Sequence, residues 1–120
     1  MPGKRNATVD PSREVQVNVV NQSPHVVAYR VWVKRPGTDW VDVGEGQTAD
    51  DKADFYTISK CPKGTLLDYW FGIGGNPLTA WSALLTLSQD AKIVTGGLCG
   101  EDGTTDVDGV DVRETEVTFV

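Results

Sequence analysis

The chain has 120 residues, with 11 Lys plus Arg against 17 Asp plus Glu, a formal charge of −6. That length holds one hydrophobic core and not two ordinary ones. The charge argues against a general nucleic-acid binder and against a polybasic membrane module, because phosphate backbones and anionic headgroups are repelled by a surface of their own sign. The excess is uneven: residues 89–120 carry eight acids and two bases, which leaves residues 1–88 with nine of each.

Residues 1–13 are polar, carry Pro2, Gly3 and Pro11, and read as a flexible N-terminal arm preceding one domain over 14–120. From Glu14 onward the dominant period is two. Val15, Val17 and Val19 alternate with polar residues, as on a half-buried strand, until Asn21-Gln22-Ser23-Pro24 interrupts them. Val27, Tyr29, Val31 and Val33 alternate with Ala28, Arg30, Trp32 and Lys34, and Arg35-Pro36-Gly37-Thr38-Asp39 then signals a hairpin returning through Val41 and Val43.

The stretch Gly44–Asp54 is polar and is expected as a loop, with Thr48 and Asp51 able to cap a single helical turn. Strand character resumes over Phe55–Ser59. Cys61-Pro62-Lys63-Gly64 makes a tight turn into Leu67, Tyr69, Phe71 and Ile73, which alternate with Asp68, Trp70 and Gly72. After the break at Gly74-Gly75-Asn76-Pro77, Trp81, Ala83, Leu85 and Leu87 suit a strand, although residues 78–87 also allow a short helix. Lys92–Thr95 predicts a short strand, 96–109 a Gly/Asp-rich loop, and Val110–Val120 a final strand. About eight short strands with no long helix predict an all-β antiparallel sandwich, Ig-like or jelly-roll-like.

The hairpin register decides which side chains share a face. A two-residue turn at Pro36-Gly37 would bury Asp42 among valines, which is costly. A three- or five-residue loop centred on Gly37 instead sets Trp32 opposite Asp42. That register gathers Arg30, Trp32, Lys34, Trp40 and Asp42 on one face and sends Val27, Val31, Val33, Val41 and Val43 into the core. By the same parity Asp68 and Trp70 point away from the core. Flat aromatic rings among fixed charged groups suit a sugar or a choline-type headgroup, so Arg30, Trp32, Trp40, Asp42, Asp68 and Trp70 are the expected ligand-binding set. The structural alternative places these tryptophans under loops or against a partner chain.

Residues 101–111 are the densest charge run. Oxygen ligands alternating around a glycine suit Ca²⁺, which makes Asp102, Asp106, Asp108 and Asp111 the candidate metal ligands. The resemblance to an EF-hand loop stops there, because Thr115 stands where a bidentate Glu belongs. The competing reading is a solvated acidic loop or charges that protect a sheet edge.

Catalytic motifs are scarce. His25 is the single histidine, and Gly72-Ile73-Gly74-Gly75 has neither a P-loop Lys nor dinucleotide spacing, so its glycines read as turn chemistry. A Cys61–His25 dyad is the one nucleophilic pair available. Cys61 and Cys99 are read as reduced, partly buried thiols in preference to a bridge closing a 38-residue loop. No apolar segment follows the basic start, so the chain is read as cytoplasmic or as a mature secreted chain restarted with Met. The expected function is non-catalytic recognition of a glycan or lipid headgroup through the aromatic face. The rivals are an assembly protein using that face or a strand edge for protein contacts, homo-oligomers included, and a Ca²⁺-dependent module. No cofactor is expected beyond that ion.

Overall fold

The computed structural model describes residues 3–23, 25–48 and 52–120. They form nine strands: β1 (Gly3–Ala7), β2 (Val15–Asn21), β3 (Val27–Lys34), β4 (Val41–Thr48), β5 (Ala53–Ile58), β6 (Leu66–Gly74), β7 (Ala80–Gln89), β8 (Lys92–Thr104) and β9 (Val110–Phe119). A five-stranded sheet, ordered β1-β9-β6-β3-β4, faces a four-stranded sheet, ordered β5-β2-β7-β8. The expected sandwich is what the chain forms. Every pairing is antiparallel except that of β1 with β9. Residues 78–87, open to two readings, are strand and not helix. Among the described residues there is no helix long and apolar enough to cross a membrane.

Alternation builds the core. Val15, Val17 and Val19 of β2, Val27, Val31 and Val33 of β3, Leu67, Tyr69 and Phe71 of β6, and Leu85 and Leu87 of β7 are at most 2% exposed. Branched and aromatic side chains suit such pleated, one-sided burial. Polar groups on the inward side are satisfied in pairs. Tyr69 Oη donates to Glu101 Oε1 at 2.6 Å, and Thr115 Oγ1 donates to the same oxygen at 2.8 Å, which ties β6 and β9 to β8 across the layer. Tyr29 Oη donates to Asp54 Oδ2 at 2.5 Å and also meets Tyr56 Oη, tying β3 to β5. Burial raises the Tyr29 and Tyr69 phenols well above their ordinary range. Asn21 is fully buried: its Nδ2 donates to the Thr48 carbonyl at 2.8 Å and its Oδ1 accepts from Ser23.

Four expectations are corrected. The described part of the 1–13 segment is not a flexible arm: β1 pairs with β9 from Gly3–Thr115 to Ala7–Phe119, and Ala7 and Val9 are buried. Its polar side chains conceal a strand that is held mainly by backbone hydrogen bonds. Most of Gly44–Asp54 is strand rather than loop, because β4 runs to Thr48 and β5 starts at Ala53; residues 49–51, including Asp51, lie outside the described residues. Apolar alternation is missing there because the inward positions are glycines whose space aromatic rings occupy. A Cβ on Gly44 would stand 2.2 Å from the Tyr56 ring.

The 96–109 loop shrinks in the same way, since β8 continues to Thr104 opposite β7. Gly97, Cys99 and Glu101 take its inward positions, so no apolar run advertises it. Finally Val41, expected in the core, is 54% exposed. It pairs with Val33 at the hairpin end of an edge strand, where the narrower opposing sheet gives no cover. The expected register nevertheless holds, with Trp32 opposite Asp42, and Val43 is the extra residue of a bulge that packs on the core.

Replacing Tyr69 by Phe removes a hydrogen bond to a carboxylate while keeping the ring, and is expected to cost about 1–2 kcal/mol in urea unfolding. Gly96 has φ +78° and an added Cβ would stand 2.1 Å from the Asn6 carbonyl oxygen. Gly96→Ala is therefore expected to destabilise by about 1–3 kcal/mol, with the faster amide exchange concentrated in β1.

Candidate functional site

The outer face of the five-stranded sheet gathers most of the expected ligand-binding residues. One row crosses all five strands as Lys4, Glu116, Asp68, Trp32 and Asp42, and the next reads Glu114, Trp70, Arg30 and Glu45. Arg30, Trp32, Asp42, Asp68 and Trp70 are thus immediate neighbours. Trp40, one residue before β4, is 44% exposed near the hairpin end. The fourth tryptophan, Trp81, is in the core, where its Nε1 donates to Asp111 at 2.7 Å.

Arg30 is held from two sides. Its Nη2 donates to both Asp42 oxygens at 3.0 Å, its Nε lies 3.6 Å from Glu45 Oε2, and its guanidinium carbon sits 4.9 Å from the centre of the Trp32 ring. Exposed ion pairs contribute little to stability; what this one supplies is a fixed orientation for the guanidinium against an indole face.

The third row is small. Ala28 pairs with Gly72 and with Gln47. A Cβ on Gly72 would stand 2.4 Å from the Trp70 ring, so the indole covers that glycine. Gly72 is therefore a strand residue that seats a ring, not a turn residue as its motif suggested. Beside it opens a shallow hollow of about 480 Å³ bordered by Arg30, Glu45, Gln47 and Trp70. An apolar ring edge, an amide, a carboxylate and an oriented guanidinium converge there.

Asp68 lies between Trp32 and Glu116 with its Oδ1 enclosed and without a hydrogen-bond partner among the described residues. Its carboxyl is pushed up to about 7, first by burial and then by the neighbouring carboxylates of Glu114 and Glu116. The two main rows hold five carboxylates against Lys4 and Arg30. The face accordingly attracts cations and repels anions.

Glu45, Gln47, Gly72, Glu114 and Glu116 were missing from the expected set. Glu45 and Gln47 fell in the supposed loop, whereas the parity of β9 against Val117 could have placed Glu114 and Glu116 on this face.

The candidate metal ligands are dispersed in their roles. Asp102 is exposed on β8; Asp106 Oδ1 accepts the backbone N–H groups of Asp108 and Val110, closing the β8–β9 turn; and Asp111 faces Trp81 and Arg113. Among the described residues no group of three or more His, Cys, Asp or Glu is arranged to hold a metal ion. Cys61 and Cys99 are buried and unbridged, and burial raises both thiols. His25 precedes β3, while Cys61 lies by Arg35 past the other end of that strand, so the dyad is not assembled.

The Asp68 shift has a consequence for stability. The unfolded chain ionises this group near 3.8 and the folded protein only near 7, so its contribution is fully present at acid pH and is lost as pH rises through about 7. Asp68→Asn, which keeps the neutral shape, is expected to gain in urea midpoint over the wild type, by a margin that grows between about pH 5 and about pH 8. A margin independent of pH would contradict the assignment. Comparison with protein-family models, curated proteins and solved structures gives no match for this chain.

Proposed function

We propose that the protein is a non-catalytic recognition module that binds a glycan, or a zwitterionic lipid headgroup, on the outer face of the five-stranded sheet. The observation that carries this reading is the hollow beside Trp70, where a half-exposed indole meets Arg30, Glu45 and Gln47. An aromatic plane gives a pyranose ring a desolvated seat for its C–H face. Carboxylate, amide and guanidinium groups around it accept and donate to hydroxyls in directions fixed before binding. The same rings and carboxylates would take a quaternary ammonium group. The carboxylate surplus disfavours anionic headgroups and sulfated sugars.

Preorganisation supports the reading. Arg30 is tethered by Asp42 and Glu45, and Trp70 is seated on Gly72, so little side-chain freedom remains to be lost on binding. Glycan arrays and phosphatidylcholine vesicles are the two platforms that test it. Trp70→Ala is expected to weaken the ligand found by at least about tenfold, a loss of about 1.4 kcal/mol or more, without altering the fold. Trp40→Ala, remote from the hollow, is expected to have a smaller effect. Absence of binding on both platforms would refute the proposal.

A further inference from the structure

Strand β6 lies at the centre of the five-stranded sheet, between β9 and β3, and its outward positions run Asp68, Trp70, Gly72 and Gly74. Glycine is among the poorest residues for such a place, since it has no side chain to pack and more freedom to lose. Within a strand it marks a bulge, a tight bend or a close approach. Gly72 is at neither of the first two: its φ lies outside the left-handed region, and its register with Ala28 of β3 and Val112 of β9 continues without a shift. The close approach is present. An added Cβ would overlap the Cη2, Cζ2 and Cζ3 atoms of Trp70, so the benzo end of the indole takes the space of the missing side chain.

Ala28 completes the arrangement from the neighbouring strand. It pairs with Gly72 on one side and Gln47 on the other, and it borders the same hollow as Trp70, Arg30 and Glu45. We propose that Gly72 is a positioning residue, which holds the Trp70 indole over its own Cα, and that Ala28 is a specificity-determining residue, whose methyl group leaves the hollow open to a ligand. The assignment rests on the reading of this hollow as the binding site.

The two residues act in different ways. At position 72 the backbone accepts any residue, so a methyl group there displaces the ring and not the strand: the atoms it meets are the far end of a side chain, whereas β6 is hydrogen-bonded on both sides. A displaced ring has to be ordered again when the ligand arrives, and that ordering is subtracted from the affinity. At position 28 a β-branched residue suits the strand better than alanine does. Each carbon it adds, however, enters the hollow and excludes a ligand group of the same size.

Binding is read on the glycan array or the phosphatidylcholine vesicles, whichever retains the wild type. Gly72→Ala is expected to weaken it about two- to tenfold, the cost of ordering one large side chain again, and to change the tryptophan emission spectrum. Gly74→Ala, on the same strand where an added Cβ meets nothing within 4 Å, should change neither. Ala28→Val is expected to weaken binding at least about tenfold while the urea midpoint holds or rises. A second readout needs no ligand: the change in urea midpoint caused by Gly72→Ala should be more favourable in a Trp70→Ala background than in the wild type, and its emission change should vanish there. Equal midpoint changes in the two backgrounds overturn the positioning role of Gly72. Undiminished binding by a folded Ala28→Val overturns the role of Ala28. A wild type that binds on neither platform refutes the proposed function and the role of Ala28 with it, whereas the coupling of positions 70 and 72 is decided by the unfolding experiment alone.

Discussion

Tyr69, Phe71, Phe119, Leu67, Leu85 and Leu87 meet between the two sheets with almost no exposure, and this dry layer constrains every polar group that enters it. A phenol or carboxylate placed there without a partner would cost several times what a satisfied hydrogen bond contributes. The inward Glu101 is therefore shared by Tyr69 and Thr115, Asp54 by Tyr29 with Tyr56 beside it, and Asp111 by Trp81. These links do more than satisfy valences. Each joins strands remote in sequence, so closing the layer also aligns one sheet over the other.

Because alternation commits half of each strand to the interior, the other half is free to differ between the sheets. One outer face concentrates aromatic and charged groups, with Arg30 fixed between Asp42, Glu45 and the Trp32 ring. The other is amide, hydroxyl and hydrocarbon throughout its centre. Rigidity from the shared core lets the first face hold its groups in place without enclosing them. The Asp68 carboxyl is raised first by its burial on that face and then by neighbours that are more carboxylates than cations.

Glycine explains where the chain misleads a reader. Gly44 and Gly46 stand inward on β4 because the Tyr56 and Tyr29 rings fill the space their side chains would take. Gly72 stands outward on β6 beneath the Trp70 indole. In a linear pattern each looks like an interruption. In three dimensions each is the vacant half of a contact whose other half lies elsewhere. Glu45 and Gln47, each following one of these β4 glycines, were hidden with them.

The sequence by itself determined the sandwich class, the cores of β2, β3 and β6, and the parity that sets Arg30, Trp32, Asp42, Asp68 and Trp70 outward. Those features are local, written in a period of two that one strand carries without reference to its neighbours. Only the tertiary structure decided the parallel docking of β1 on β9, the full length of β4 and β8, the burial of Trp81 and the exposure of Val41. Each depends on which strand lies alongside or beneath, and backbone hydrogen bonds between distant segments leave no mark in side-chain pattern. The same is true of charge. The −6 of the chain is a sum along its length, whereas its separation into a charged face and an uncharged one exists only after the sheets have formed.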